Sequence, residues 1–153
     1  MGVEERLMIP RGFETSFDPR PKLVLFDLDN TICDYDGARL IRTRYAFEPH
    51  FSTPEQLDAA VELAIARANE GCDHFAGVLA EHGVADAALV TDSEARYRTD
   101  RYRGLALFPE ALEVVAQVAE VAQVGMITNG PTDIQRPKIE LLEIEAHFPV
   151  IVV

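Results

Sequence analysis

The chain is 153 residues long, with 48% hydrophobic residues and a formal net charge of -12. That length suits one domain, or a small core plus a helical insert. The acidic balance argues against non-specific binding to nucleic acid or anionic membranes, which needs a basic surface, and no apolar run approaches the ~18 residues of a membrane span.

Residues 1–20 are polar and broken by Pro10, Gly12 and Pro19. They read as an arm that Phe13 and Phe17 anchor on the domain. The opening Met1-Gly2-Val3-Glu4-Glu5-Arg6 lacks the apolar stretch of a signal peptide. Cys33 and Cys72 show no metal-ligand spacing, so a reducing, cytoplasmic setting is expected.

Leu23-Val24-Leu25-Phe26 predicts a strand buried on both faces, as in a parallel sheet. Asp27 and Asp29 follow just past its carboxyl end, where ligands bind in open α/β sheets. Two carboxylates this close repel unless a cation lies between them, and a hard cation such as Mg²⁺ suits oxygen ligands. Asp-x-Asp alone is a common surface turn. The apolar run before it and Asn30-Thr31 after it favour chemistry. Cys33 has no His near it in sequence to activate it and reads as incidental.

Residues 37–107 hold no convincing strand. A helix is predicted over 37–47. Thr53-Pro54-Glu55-Gln56 starts a second, with Thr as N-cap and Pro at the first helical position. Leu57, Ala60, Val61, Ala64, Ile65 and Ala68 keep helical spacing, and Gly71 is placed to stop it. Further helices are expected over 73–82, with Gly83 as its stop, and over 92–102. Arg39, Arg42, Arg44, Arg96, Arg98, Arg101 and Arg103 fall in the first and last parts of this insert. They read either as solvated helix faces or as a basic rim drawing in an anion. His50, His74, His82 and His147 form no ligand cluster.

Pro109 opens a helix with Ala111, Leu112, Val115, Val118 and Ala119 on its buried face. Residues 121–127 then read as a second strand, parallel to the first through a right-handed crossover. That connection brings Thr128 and Asn129 beside Asp27 and Asp29. Pro131 suits a helix start, but Pro137 falls inside, where proline costs ~3 kcal/mol. A broken helix is expected, with a second piece over 137–142, and a third strand over 149–153.

The segment Lys22 to Thr31 resembles motif I of the haloacid dehalogenase (HAD) superfamily of phosphohydrolases, and Val124-Gly125-Met126-Ile127-Thr128-Asn129-Gly130 resembles motif II. The resemblance covers roughly residues 21–153. It implies an α/β fold: a partial Rossmannoid core with a three-stranded parallel sheet, formed by 21–36 and 108–153. An all-helical type 1 cap over 37–107 is inserted in it, and the arm at 1–20 precedes it. It also implies roles. Asp27 attacks phosphorus and forms an aspartyl-phosphate. Asp29 protonates the leaving alcohol and later deprotonates water. Thr128 and the Asn129 backbone N–H hold the phosphate. Mg²⁺ is held by the Asp27 carboxylate and the Asp29 backbone carbonyl. Family members that cleave carbon–halogen bonds need no acid at the second position, so Asp29 points to phosphate substrates, and the resemblance as a whole implies a phosphatase of small phosphorylated metabolites.

The Lys of motif III and the acidic residues of motif IV are not found. Lys138 is the only lysine after Lys22. It can reach the phosphate, although it sits in the helix after motif II and not where motif III belongs. Weak Mg²⁺ binding and feeble turnover are therefore expected. The alternative is a catalytically incompetent relative acting as a binding or self-associating module. With no fourth and fifth strands, the first strand is expected to lie at a sheet edge and to pair in a homodimer, the alternative being that the arm at 1–20 folds back over it with Phe13 and Phe17.

Overall fold

The computed structural model describes residues 21–67 and 71–153. The expected arm at 1–20 and the helical position Ala68 lie outside the described residues. The elements run β1 (Leu23–Phe26), α1 (Tyr35–Phe47), α2 (Pro54–Arg67), α3 (Phe75–Glu81), α4 (Ala87–Thr99), α5 (Ala111–Ala119), β2 (Gln123–Ile127), α6 (Thr132–Leu141) and β3 (Ile151–Val152). The three strands form one parallel sheet in the order β1-β2-β3, so the fold is α/β.

Alternation along the strands separates the two faces of this sheet. Val24 and Phe26 pair with Val124 and Met126, and of these Phe26, Val124 and Met126 pack in a core with Leu28, Ile32, Val115, Ile139 and Ile144. Leu23, Leu25, Ile127 and Val152 point the other way and are each about half exposed, at 49%, 46%, 47% and 50%. The prediction that β1 is buried on both faces is therefore corrected. Its four apolar residues were read as two-sided burial, but α5 and α6 contribute to the core on one face only.

A second core lies wholly in the inserted helices, with Phe47, Leu57, Val61, Phe75, Leu79 and Tyr97 buried together. Thr53 caps α2 as expected, its hydroxyl accepting from the Gln56 N–H at 3.3 Å. Gly83 ends α3 at φ +83°, a conformation that costs glycine little. Two helix starts differ from expectation. Asp34 accepts from the Gly37 N–H at 2.8 Å, so α1 begins at Tyr35. Asp86 accepts from the Ala88 N–H at 2.7 Å, so α4 begins at Ala87, not at 92, and ends at Thr99. Both starts are set by short Asp caps.

Pro137 does not break α6, which runs through it. Gln135, Lys138 and Ile139 are buried on either side of the proline. This tertiary packing offsets the one backbone bond that Pro137 cannot make.

The insert enters and leaves the core at one place. Cys33 bridges Leu107, the Asp34 N–H donates to the Ala106 carbonyl at 2.9 Å, and the Phe108 N–H donates to the Ile32 carbonyl at 3.0 Å.

Candidate active site

The chain leaves β1 in a tight turn. The Leu28 carbonyl accepts from the Ile32 N–H at 3.0 Å and the Cys33 N–H at 3.1 Å. Asn30 holds φ 59°, a left-handed conformation in which Asn is enriched. Its side-chain oxygen accepts from the Asp36 N–H at 3.0 Å, joining the turn to α1.

Asp29 is the centre of the polar contacts. Lys138 Nζ donates to both its carboxylate oxygens, at 2.8 Å and 2.7 Å. Gln135 Nε2 donates to Oδ2 at 3.1 Å, and the Cys33 thiol donates to Oδ1 at 3.7 Å. The Lys138 ammonium, on a buried side chain, also lies 4.2 Å from the Tyr35 ring centroid. Gln135 Nε2 reaches Thr128 Oγ1 at 3.1 Å and the Asn129 carbonyl at 2.6 Å, so one amide ties the ends of β1 and β2 together. Gly130 makes room for it: a Cβ there would stand 3.1 Å from Gln135 Nε2, at a φ of +128°. Burial pushes the Cys33 thiol up to about 12, and the Asp29 carboxylate adds to the shift. Cys33 is therefore a protonated donor, in keeping with the expectation that it is no nucleophile.

A cavity of about 360 Å³ opens between the core and the inserted helices. Asp29, Asn129, Gln135 and Lys138 line it from the core side, and Arg39, Arg42, Arg98 and Arg101 from the other. The Tyr102 hydroxyl donates to the Ile134 carbonyl at 3.1 Å across the junction.

The expected site residues are placed unequally. Asp29, Asn129 and Lys138 share the cavity. Thr128 is buried and meets Asp29 through the Gln135 amide. Asp27 is exposed, lies outside the cavity lining, and its carboxylate has no hydrogen-bond partner among the described residues. Gln135 was missed by the sequence reading. Its spacing of three from Lys138 puts both on one helix face, which is the signal that could have found it.

The donors that could hold Mg²⁺ are the exposed Asp27 carboxylate and the Asp29 backbone carbonyl. Both are hard oxygens of the kind that ion prefers. Among the described residues no group of three or more His, Cys, Asp and Glu side chains gathers around a common point. The set fits Mg²⁺ in kind and leaves most of its octahedral shell to water and substrate.

The family model for haloacid dehalogenase-like hydrolases matches residues 21–153. The chain belongs to that family. Among curated proteins it is similar to human N-acylneuraminate-9-phosphatase, at 21% identity over 88% of this chain and 61% of that one. Among solved structures it is similar to YfnB from Bacillus subtilis, solved bound to magnesium, with 19% identity and a TM-score of 0.58 over 86% of this chain and 63% of that one. A haloacid dehalogenase-like family hydrolase from Xanthomonas campestris gives 19% identity and a TM-score of 0.56, over 86% of this chain and 61% of that one. The likeness to both structures is one of fold. The chain spans somewhat under two thirds of the length of these HAD relatives.

Proposed function

We propose that the chain carries the nucleophile and acid–base part of a phosphatase that acts on small phosphorylated metabolites. The observation that supports this most is the Lys138–Asp29–Gln135 cluster at the carboxyl ends of β1 and β2, facing a cavity under the inserted helices. The phosphatase name of the human relative points the same way.

In this reading an Asp27 carboxylate oxygen attacks phosphorus and the bond to the ester oxygen breaks. The departing alkoxide takes a proton through Asp29 from the Lys138 ammonium, which donates to that carboxylate at 2.7 Å and takes the proton back in the second half of the reaction. Water then attacks the aspartyl-phosphate, Asp29 takes the water proton, and inorganic phosphate leaves with Asp27 restored. Asp27 is exposed and has no hydrogen-bond partner among the described residues, which leaves its carboxylate open to attack phosphorus. Lys138 supplies positive charge beside Asp29, and Gln135 fixes the distance from Asp29 to Thr128. Thr128 and the Asn129 N–H would receive phosphoryl oxygens. Mg²⁺, held by Asp27 and the Asp29 carbonyl, would neutralise charge on the transferring group.

The test is release of inorganic phosphate from p-nitrophenyl phosphate with Mg²⁺. Turnover that Asp27→Asn abolishes supports the reading. Turnover equal in the parent and Asp27→Asn overturns it.

A further inference from the structure

The four arginines lining the cavity are not equivalent. Arg39 pairs with Asp36 at 3.3 Å, and Arg98 pairs with Glu94 at 3.1 Å. Arg42 and Arg101 have no carboxylate partner among the described residues. Arg42 is only 7% exposed. Its guanidinium lies 3.8 Å from the Tyr97 ring centroid and donates to the Arg101 carbonyl and the Tyr97 hydroxyl. Its Nε is buried with no hydrogen-bond partner. A buried cation without an anion is costly, and a ring face with two neutral acceptors recovers only part of that cost.

The charge of the whole lining agrees. Five cations (Arg39, Arg42, Arg98, Arg101 and Lys138) face two anions (Asp29 and Asp73), an excess of three positive charges. The chain as a whole carries -12. Lys138 is already matched by Asp29 on the core side. The unmatched charge is therefore on the side of the inserted helices, away from the turn where the phosphoryl group would react.

We infer that the cavity takes a phosphate ester bearing a carboxylate at the end remote from the phosphoryl group, with Arg42 and Arg101 as the receivers of that carboxylate. The inference rests on the phosphatase reading for which end holds the phosphate. Guanidinium forks match a planar carboxylate through paired N–H donors. The cavity volume of about 360 Å³ is near the lower end of the ~300–1,000 Å³ of small-molecule sites, which suits a skeleton of a few carbons.

Calorimetric titration in low salt without metal tests this with two probes, 3-phosphoglycerate and glycerol 3-phosphate. The expected result is at least tenfold tighter binding of 3-phosphoglycerate. The overall negative field of the protein works against that order, so such a preference reports the local arginines. Arg101→Gln, an exposed position, should bring the ratio between the probes to about one, and Arg101→Lys should keep part of it. Equal binding of both probes to the parent, or a ratio unchanged in Arg101→Gln, overturns the inference. Phosphate release keeps the two readings apart. A chain that prefers 3-phosphoglycerate yet releases no phosphate from either probe supports the anion pocket and overturns the phosphatase. One that releases phosphate from both with equal kcat/KM overturns the pocket and supports the phosphatase.

Discussion

Lys138 and Asp29, 109 residues apart, meet through both carboxylate oxygens at 2.8 Å and 2.7 Å. Lys138 is nearly buried and Asp29 is 23% exposed on its side chain. Lys138→Met leaves a largely covered carboxylate beside Gln135 with no cation. Breaking a fully buried pair costs ~3–5 kcal/mol; with Asp29 partly open to water, a loss of about 2 kcal/mol is expected. Lys138→Met with Asp29→Leu should recover most of the loss, because neither charge is then stranded. Urea unfolding of the parent, both single variants and the double variant measures this, and additive single effects would refute the coupling.

Asp27 offers the opposite case. It is exposed and makes no hydrogen bond among the described residues, so Asp27→Asn should change stability by less than ~0.5 kcal/mol. Its effect should fall on phosphate release and Mg²⁺ binding. A thermal melt shifted by several degrees would mean that Asp27 has a structural partner.

Mg²⁺ should bind weakly. The Asp27 carboxylate and the Asp29 carbonyl are the protein oxygens proposed for it, and a dissociation constant in the millimolar range, roughly -4 kcal/mol, is expected. Asp27→Asn should weaken it further. Micromolar binding by calorimetry would require a ligand not in this set.

The Cys33 thiol should resist alkylation. Its folded value stands near 12 against an ordinary 9.0, chiefly through burial. The folded chain therefore keeps its proton between those values while an unfolded chain loses it. This contribution to stability is complete below pH 9 and is lost as pH rises from 9 towards 12. Iodoacetamide at pH 8.5, followed by peptide mass analysis, should label Cys33 in urea and leave it unlabelled in the native protein. Rapid native labelling would show that the turn opens.

Among the described residues, one side of the sheet has no helix over it. Leu23 and Leu25 on the edge strand β1 and Ile127 beside them are exposed together, and the edge carries no charge or proline within Leu23–Phe26. We expect two copies to pair over β1. Light scattering at micromolar concentration should give a dimer mass, and Leu25→Lys should return it to monomer. A soluble monomer of the parent would refute the pairing.

Much of this architecture could be read from residue order. The apolar run before Asp27 and the one before Thr128 fixed two parallel strands, and Thr53, Pro54 and Gly83 marked helix ends through turn and cap chemistry. The errors have physical causes. Four apolar residues in β1 say that a strand forms but not how many of its faces are covered. The rule against Pro137 is local, whereas α6 is held by long-range contacts of Gln135, Lys138 and Ile139. Lys138, the lone lysine after Lys22, suggested a phosphate contact, whereas in the structure it grips Asp29. Gln135 was not, since an amide carries no distinguishing pattern until the fold aims it.

The paired crossings at Cys33–Leu107 and Asp34–Ala106 close the ends of the insert onto one another. Seen from the sheet, some seventy residues occupy the place of a hairpin loop. The helices between can lengthen, shorten or be exchanged without moving the β1–β2 register, because nothing in that register depends on what the loop contains. The inserted half, inferred above to receive the carboxylate end of the ligand, can thus diverge on its own, while the turn that bears Asp27 and Asp29 stays as it is.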